Sequence, residues 1–315
     1  MHKRRVNELT LHLTIRPDGP ILIKSGVESG ADPTLPAMNF VRTWHPRTGE
    51  RTIYLPGASL KGVVRSHSER ILRTLLGDDP TLCCDPLDRR QNCGVRAHNI
   101  GETDAQYRAL CLACRTFGHT VQASHFLAAD AYPAQALNVL PVRQNVAIDR
   151  LSGGVAVGPF DMEVALEGEF ETTLRLHNFE LWQVGLIGLV LRDLKLGQVR
   201  IGFGKSRGLG LVSLSLDKLE IAYPAQFDPA GREFDKRLYG VGALVTAEVA
   251  DAYGYRPDDT LPWPGSVALD DDGQAWGRPA ITVLGDEAIM AFLRAAVQAW
   301  ATQAAEIGMR GKRGA

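Results

Sequence analysis

Outside residues 83–114 the sequence has no cysteine, and within that stretch it has five: Cys83, Cys84, Cys93, Cys111 and Cys114. This excludes a disulfide framework spread along the chain, and thiols gathered so tightly point to a metal centre in a reducing compartment. No run approaches the ~20 consecutive apolar residues that a membrane helix needs. The basic start Met1-His2-Lys3-Arg4-Arg5 continues as Val6-Asn7-Glu8 rather than as an apolar stretch, so no signal peptide is read and a cytoplasmic protein is expected. There is no internal repeat, no low-complexity segment, no paired-carboxylate site and no Ser-His-Asp order. Net charge is also nearly absent, at -1. Its distribution is uneven: residues 1–73 hold 12 Lys and Arg against 6 Asp and Glu, whereas residues 216–315 hold 10 against 15. A basic front suits an anionic ligand, although two differently charged solvent faces would look the same.

What is present is a globular chain, 45% hydrophobic, able to bury one large core or two modest ones. Residues 8–16 alternate, with Leu9, Leu11, Leu13 and Ile15 on one side, and predict a half-buried strand. Residues 24–50, with Gly26, Gly30, Pro33, Pro36 and Pro46, read as a long loop. A helix runs from about Pro56-Gly57 to Leu76, with an apolar stripe of Leu60, Val63, Val64, Ile71, Leu72 and Leu75, and Ser59 or a neighbour as its cap. Strands are expected over 124–132, over 168–176 and after Gly210. The helix at 180–196 is apolar on nearly every side and must be buried. The order strand, helix, strand, strand, helix, strand predicts an α+β fold with a ferredoxin-like (RRM-like) split βαβ core. That core would occupy residues 1–221, with a cysteine-rich insertion at 78–120 and a hairpin at about 137–165. Residues 222–315 form an extension of unknown role, loop-rich to about 284 and closed by an amphipathic helix from Asp286 to Ile307.

Three clusters carry chemistry. In Gly202-Phe203-Gly204-Lys205-Ser206-Arg207-Gly208-Leu209-Gly210, glycines let backbone N–H groups approach phosphate oxygens, and two cations flank them. A β-bulge and tight turn would use the same glycines. In Pro56-Gly57-Ala58-Ser59-Leu60-Lys61-Gly62 a helix start offers unpaired N–H groups to an anion, with Lys61 and Arg65 sharing a face. An ordinary helix start with solvated cations is the alternative. The third cluster is the cysteines. Cys111 and Cys114 form a Cys-x-x-Cys knuckle, and with Cys84 and Cys93 they suit a structural, tetrahedral Zn²⁺. Cys83 or His98 is a possible replacement ligand, and a Cys111/Cys114 redox pair is the competing use.

Together these segments resemble a known family. Leu55-Pro56-Gly57-Ala58-Ser59-Leu60-Lys61-Gly62-Val63-Val64-Arg65 resembles the signature of the RAMP superfamily of CRISPR proteins, and residues 202–210 resemble its glycine-rich loop. Val146-Ala147-Ile148-Asp149-Arg150-Leu151-Ser152-Gly153-Gly154 is similar to the hairpin of the repeated backbone subunits of type III effector complexes. The resemblance covers roughly residues 8–221. It implies a chain that stacks with copies of itself and other effector subunits along a CRISPR guide RNA, with residues near 139–157 as a thumb that kinks the duplex formed with complementary target RNA. The implied RNA contacts are Gly57, Ser59, Lys61, Arg65, Arg143, Arg150, Gly204, Lys205, Ser206, Arg207 and Gly208. Related subunits also carry zinc in such insertions.

The resemblance further implies that Asp32, in Ser25-Gly26-Val27-Glu28-Ser29-Gly30-Ala31-Asp32-Pro33, supports cleavage of target RNA, by binding Mg²⁺ or positioning the attacking 2′-hydroxyl. An Asx turn before Pro33 is the other use of Asp32. The family often has Leu-His-Ile after its first strand, where this chain has Ile21-Leu22-Ile23. The expected function is thus a guide-RNA-binding backbone subunit with endoribonuclease activity. The alternatives are a non-catalytic RNA-gripping scaffold, a stand-alone processing ribonuclease for the guide precursor, and a zinc-ribbon adaptor that binds protein.

Overall fold

The computed structural model describes residues 3–26, 36, 38–224, 233–234, 236–263, 268–269 and 280–313. Strand β1 (Glu8–Pro17) is the centre of the molecule. Its alternation buries Leu9, Leu11, Leu13 and Ile15, as the sequence predicts. It pairs antiparallel with β8 (Phe170–His177) on one side and β9 (Val212–Ala222) on the other. Beyond β8 lie β4 (Phe126–Ala128) and β5 (Tyr132–Pro133), both antiparallel to it. The predicted strand over 124–132 is therefore two short pieces, broken where Ala131 leaves to pair with Leu55. Helices α1 (Gly57–Leu76) and α5 (Leu181–Lys195) cover the apolar face of this sheet. Every residue of α5 from Leu181 to Leu191 is buried, which explains its all-round hydrophobicity. In α1 the stripe holds at Leu60, Val64 and Leu72, but Leu75 is exposed in the last turn.

The extension is part of this body. Strand β13 (Ala280–Leu284) adds to the free edge of β9, and β12 (Ala268–Leu269) adds to β13. Helix α7 (Asp286–Arg313) lies on α5, and Ile289, Phe292, Leu293, Ala296 and Trp300 are buried as the stripe predicts. The two helices meet at Gly185, where a methyl group would stand 2.4 Å from the Ala296 carbonyl oxygen. Residues 237–262, expected to be loop, contain β10 (Arg237–Tyr239), α6 (Ala247–Tyr253) and β11 (Thr260–Pro262). These elements are too short for a periodicity to show. Asn7, just before β1, ties the core to the extension: its side chain donates to the carbonyls of Phe179 and Tyr239, both at 3.1 Å. Among the described residues no helix is long and apolar enough to cross a membrane.

The hairpin β6 (Val142–Ile148) and β7 (Val155–Glu163) forms a separate two-stranded sheet. Asp149 closes its tip by accepting from the Leu151 and Ser152 amides at 3.0 and 2.7 Å. Its base is fixed by Glu163, which is buried, receives the Phe40 amide at 2.8 Å and forms a two-pronged ion pair with Arg42. The segment expected to be a long loop ends in a small hairpin, β2 (Arg42–Trp44) with β3 (Arg51–Ile53); Phe40 anchors it, while Trp44 remains exposed.

Candidate nucleic-acid groove and cysteine centre

The two glycine-containing segments come together. An open groove of about 690 Å³ runs between α1 and the loop before β9. Ser59, Gly62, Ser66 and Arg70 line it from α1; Arg200, Gly202, Phe203, Lys205 and Ser206 line it from the loop, and Lys24 closes one rim. Lys24, Arg70, Arg200 and Lys205 give four cations, and no carboxylate lines the groove among the described residues. The helix spacing brings Ser59, Gly62, Ser66 and Arg70 onto one face. Gly62 has open space where a side chain would begin, so no neighbouring group requires glycine at this mid-helix position. The Lys24 ammonium sits 5.9 Å above the Phe203 ring.

The loop glycines are used in two ways. Gly202 and Gly210 have φ of +76° and +92°, and a methyl group there would stand 2.3 and 2.2 Å from the carbonyl oxygens of Leu22 and Ile201. These two serve the tight turn. Gly204 and Gly208 flank one turn of 3₁₀ helix over Lys205–Arg207, which presents all three of its side chains to solvent. The Arg207 guanidinium lies 5.6 Å from the Phe160 ring at the hairpin base, so the loop and the hairpin are neighbours.

Other candidates are placed elsewhere. The Gly57 amide donates to Asp130 at 2.7 Å, and Gly57 packs against the Ala128 carbonyl. Pro56 at the cap position offers no side-chain acceptor and Asp130 takes the first amide instead, so Ser59 is a groove residue and not a cap. Lys61 lies beside Arg65, and burial with that neighbour lowers its pKa. Arg65 points away from the groove toward the cysteines. Arg143 and Arg150 are exposed on the hairpin. Asp32 lies outside the described residues. Sequence reasoning missed Arg70 and Arg200; the signal was available, since Arg70 falls three turns along the Ser59 face and Arg200 borders the glycine cluster. His67 also lines the groove and joins α1 to α5 through Asp193 at 2.7 Å.

The sulfurs of Cys84, Cys93, Cys111 and Cys114 all lie within 4.8 Å of one another and are buried. Cys93 starts α2 (Cys93–Ala97), behind an Asn92 cap; Cys111 caps α4 (Leu112–Phe117), which contains Cys114. N–H donors address the sulfurs: the Cys111 amide and Arg96 reach Cys93 at 3.1 and 3.0 Å, the Cys114 amide reaches Cys111 at 3.4 Å, and Arg65 reaches Cys114 at 3.6 Å. Hydrogen bonds from Cys111, Cys114 and Cys84 hold Cys93 far below the ordinary thiol range, and those from Cys111 and Cys114 draw Cys84 down to about 7, while the same sharing among the four sulfurs pushes Cys111 and Cys114 far above it. Cys83 is turned away toward the Glu69 carbonyl, and burial pushes its pKa up to about 12. The four-sulfur group is thus fit to hold a metal ion, with Cys84 rather than Cys83 in the ligand set.

The sequence profile of the RAMP superfamily matches residues 19–213, a span that includes both walls of the groove and the cysteine centre. This chain belongs to the RAMP superfamily. Comparison with curated proteins gives no match. Membership makes this RAMP protein CRISPR-associated and supports an RNA-binding role.

Proposed function

We propose that this RAMP protein is a guide-RNA-binding backbone subunit of a type III CRISPR effector complex. The observation that carries the reading is the cationic groove, with no carboxylate among its described lining residues, built jointly by the helix signature and the glycine-rich loop. Such a groove suits a sugar–phosphate backbone, with sequence left to base pairing. The strand order β9-β1-β8-β4, with α1 and α5 on one face, supports a ferredoxin-like core. The exposed hairpin, with Arg143 and Arg150, is the thumb that meets the guide–target duplex. The test is RNA affinity as a function of salt: Lys24→Ala with Lys205→Ala should weaken binding and lower the salt slope by about 2. An unchanged slope would remove the groove from RNA binding.

The metal of the cysteine centre is Zn²⁺ in this reading. Zinc–sulfur bonds of ~2.3 Å make a tetrahedron with an edge of about 3.8 Å, and the Cys84 sulfur lies 3.7 Å from those of Cys111 and Cys114. Target RNA cleavage is assigned to Asp32, a short way along the chain from Lys24 on the groove rim, with Mg²⁺ as its cofactor. Asp32→Ala in the assembled complex should abolish cleavage and leave target binding intact. Unchanged cutting would make the chain a scaffold.

A further inference from the structure

Besides its buried apolar stripe, helix α1 has two occupied faces. Ser59, Gly62, Ser66 and Arg70 look into the groove. Arg65, Glu69 and Arg73, four residues apart each, look at the cysteine-rich segment. Arg65 Nε donates to Glu69 at 2.8 Å, Nη1 to the Gly118 carbonyl at 3.1 Å and Nη2 to the Cys114 sulfur at 3.6 Å. Gly118 terminates α4, so one guanidinium grips both a ligand sulfur and the end of the helix that carries it. Arg73 adds a bond to the Cys84 carbonyl at 2.9 Å, and Glu69 receives Arg65 and Arg73 together. The ligands come from three separate stretches of chain, around residue 84, at 93, and at 111 and 114. A bound metal ion would touch all three. Four thiolates around a divalent ion carry two net negative charges, which strengthens the Arg65 bond when the centre is loaded.

We propose that Arg65 is a positioning residue that couples the cysteine centre to the groove, so that loading the metal sets the register of α1 and thereby the affinity for a single-stranded RNA. The inference rests on the groove and metal readings given above, and adds that the two sites are energetically linked. Coupling between sites in one protein is commonly worth about 5- to 150-fold in affinity, and a shift of one rigid helix places this case at about tenfold.

The experiment uses the full chain loaded with Co²⁺, whose thiolate absorption reports the centre independently of RNA. A labelled single-stranded RNA oligonucleotide is titrated before and after metal removal. In the wild type, removal should weaken RNA binding about tenfold. Arg65→Gln should keep the Co²⁺–thiolate band, bind RNA about as weakly as metal-free wild type, and lose less than about twofold more on metal removal. If Arg65→Gln does not load, Arg65→Lys carries the same comparison, because it keeps the charge but cannot fork to three acceptors. Loaded Arg65→Gln binding RNA like wild type would overturn the inference, as would losses from mutation and metal removal that simply add. RNA binding by the loaded wild type that ignores metal removal overturns the coupling alone. Loaded wild type that does not bind RNA overturns the functional reading as well.

Discussion

Glu180 and Asp259 are carboxyl groups buried at the start of α5, where Asp259 accepts the Leu181 amide at 3.0 Å and Glu180 accepts the Tyr107 hydroxyl at 3.1 Å. Burial, then repulsion from Asp259, pushes Glu180 up to about 7 from its ordinary 4.5. The folded chain therefore holds this proton more tightly than the unfolded chain does. The contribution of this group is fully present below about pH 4.5 and is lost as pH rises to about 7, a change of about 3 kcal/mol. Glu180→Gln should flatten that decline, read as the urea midpoint at pH 5 and pH 8; Asp259, pushed up to about 6 by burial, leaves a remainder. Gly62 gives a second residue-scale test. Its missing side chain would meet nothing within 4 Å, so Gly62→Ala should stabilise the helix by about 0.5–1 kcal/mol while filling the groove and weakening RNA binding. Paired thermal melts and RNA titrations would show the two effects moving oppositely. Neither carboxyl was legible in the sequence, because their burial is created by partners 78 residues apart in the chain, Leu181 and Asp259. The cysteine ligands were legible from spacing, but the choice of Cys84 over Cys83 depends on which sulfur turns toward Glu69.

The elements were read best where one periodicity ran long. The alternation of β1 and β8, the all-round hydrophobicity of α5 and the stripe of α7 gave their positions and burial directly. The short elements of residues 237–262 and the broken strand over 124–132 gave no such pattern, since pairing across the sheet, not local sequence, defines them. The hairpin was legible from its tip, Asp149 to Gly154, but its anchor was not. Glu163 and Arg42 are a buried ion pair from segments 121 residues apart. Arg42→Ala leaves the Glu163 carboxylate unpaired and should cost about 3–5 kcal/mol, with hydrogen exchange in Val142–Glu163 accelerated ahead of that in β1. Equal protection in mutant and wild type would show that the pair does not hold the hairpin. The hairpin also carries Val146, Ile148, Leu151, Val155 and Val157 in the open, with Leu151 99% exposed. Replacing residues 146–157 by a short Gly-Ser turn should leave the melting temperature within a few degrees and abolish assembly along RNA, measured by sedimentation.

At the scale of the molecule, the groove, the hairpin and the cysteine centre are all fixed to one body. Chelation should therefore lower the thermal midpoint of the whole chain, by an amount set by metal affinity and concentration. A melt unchanged by chelator would confine the metal's influence to the insertion. The position of β1 has a further consequence. Its neighbours are residues 170–177 and 212–222, and Asn7 bonds to Tyr239 across 232 positions. During synthesis β1 must wait, with its edges unpaired and its apolar face uncovered, until residues 170–222 have left the ribosome. Nascent chains arrested before about residue 222 should accordingly be protease-sensitive and dependent on chaperones, and the protein should acquire its shape late and nearly all at once.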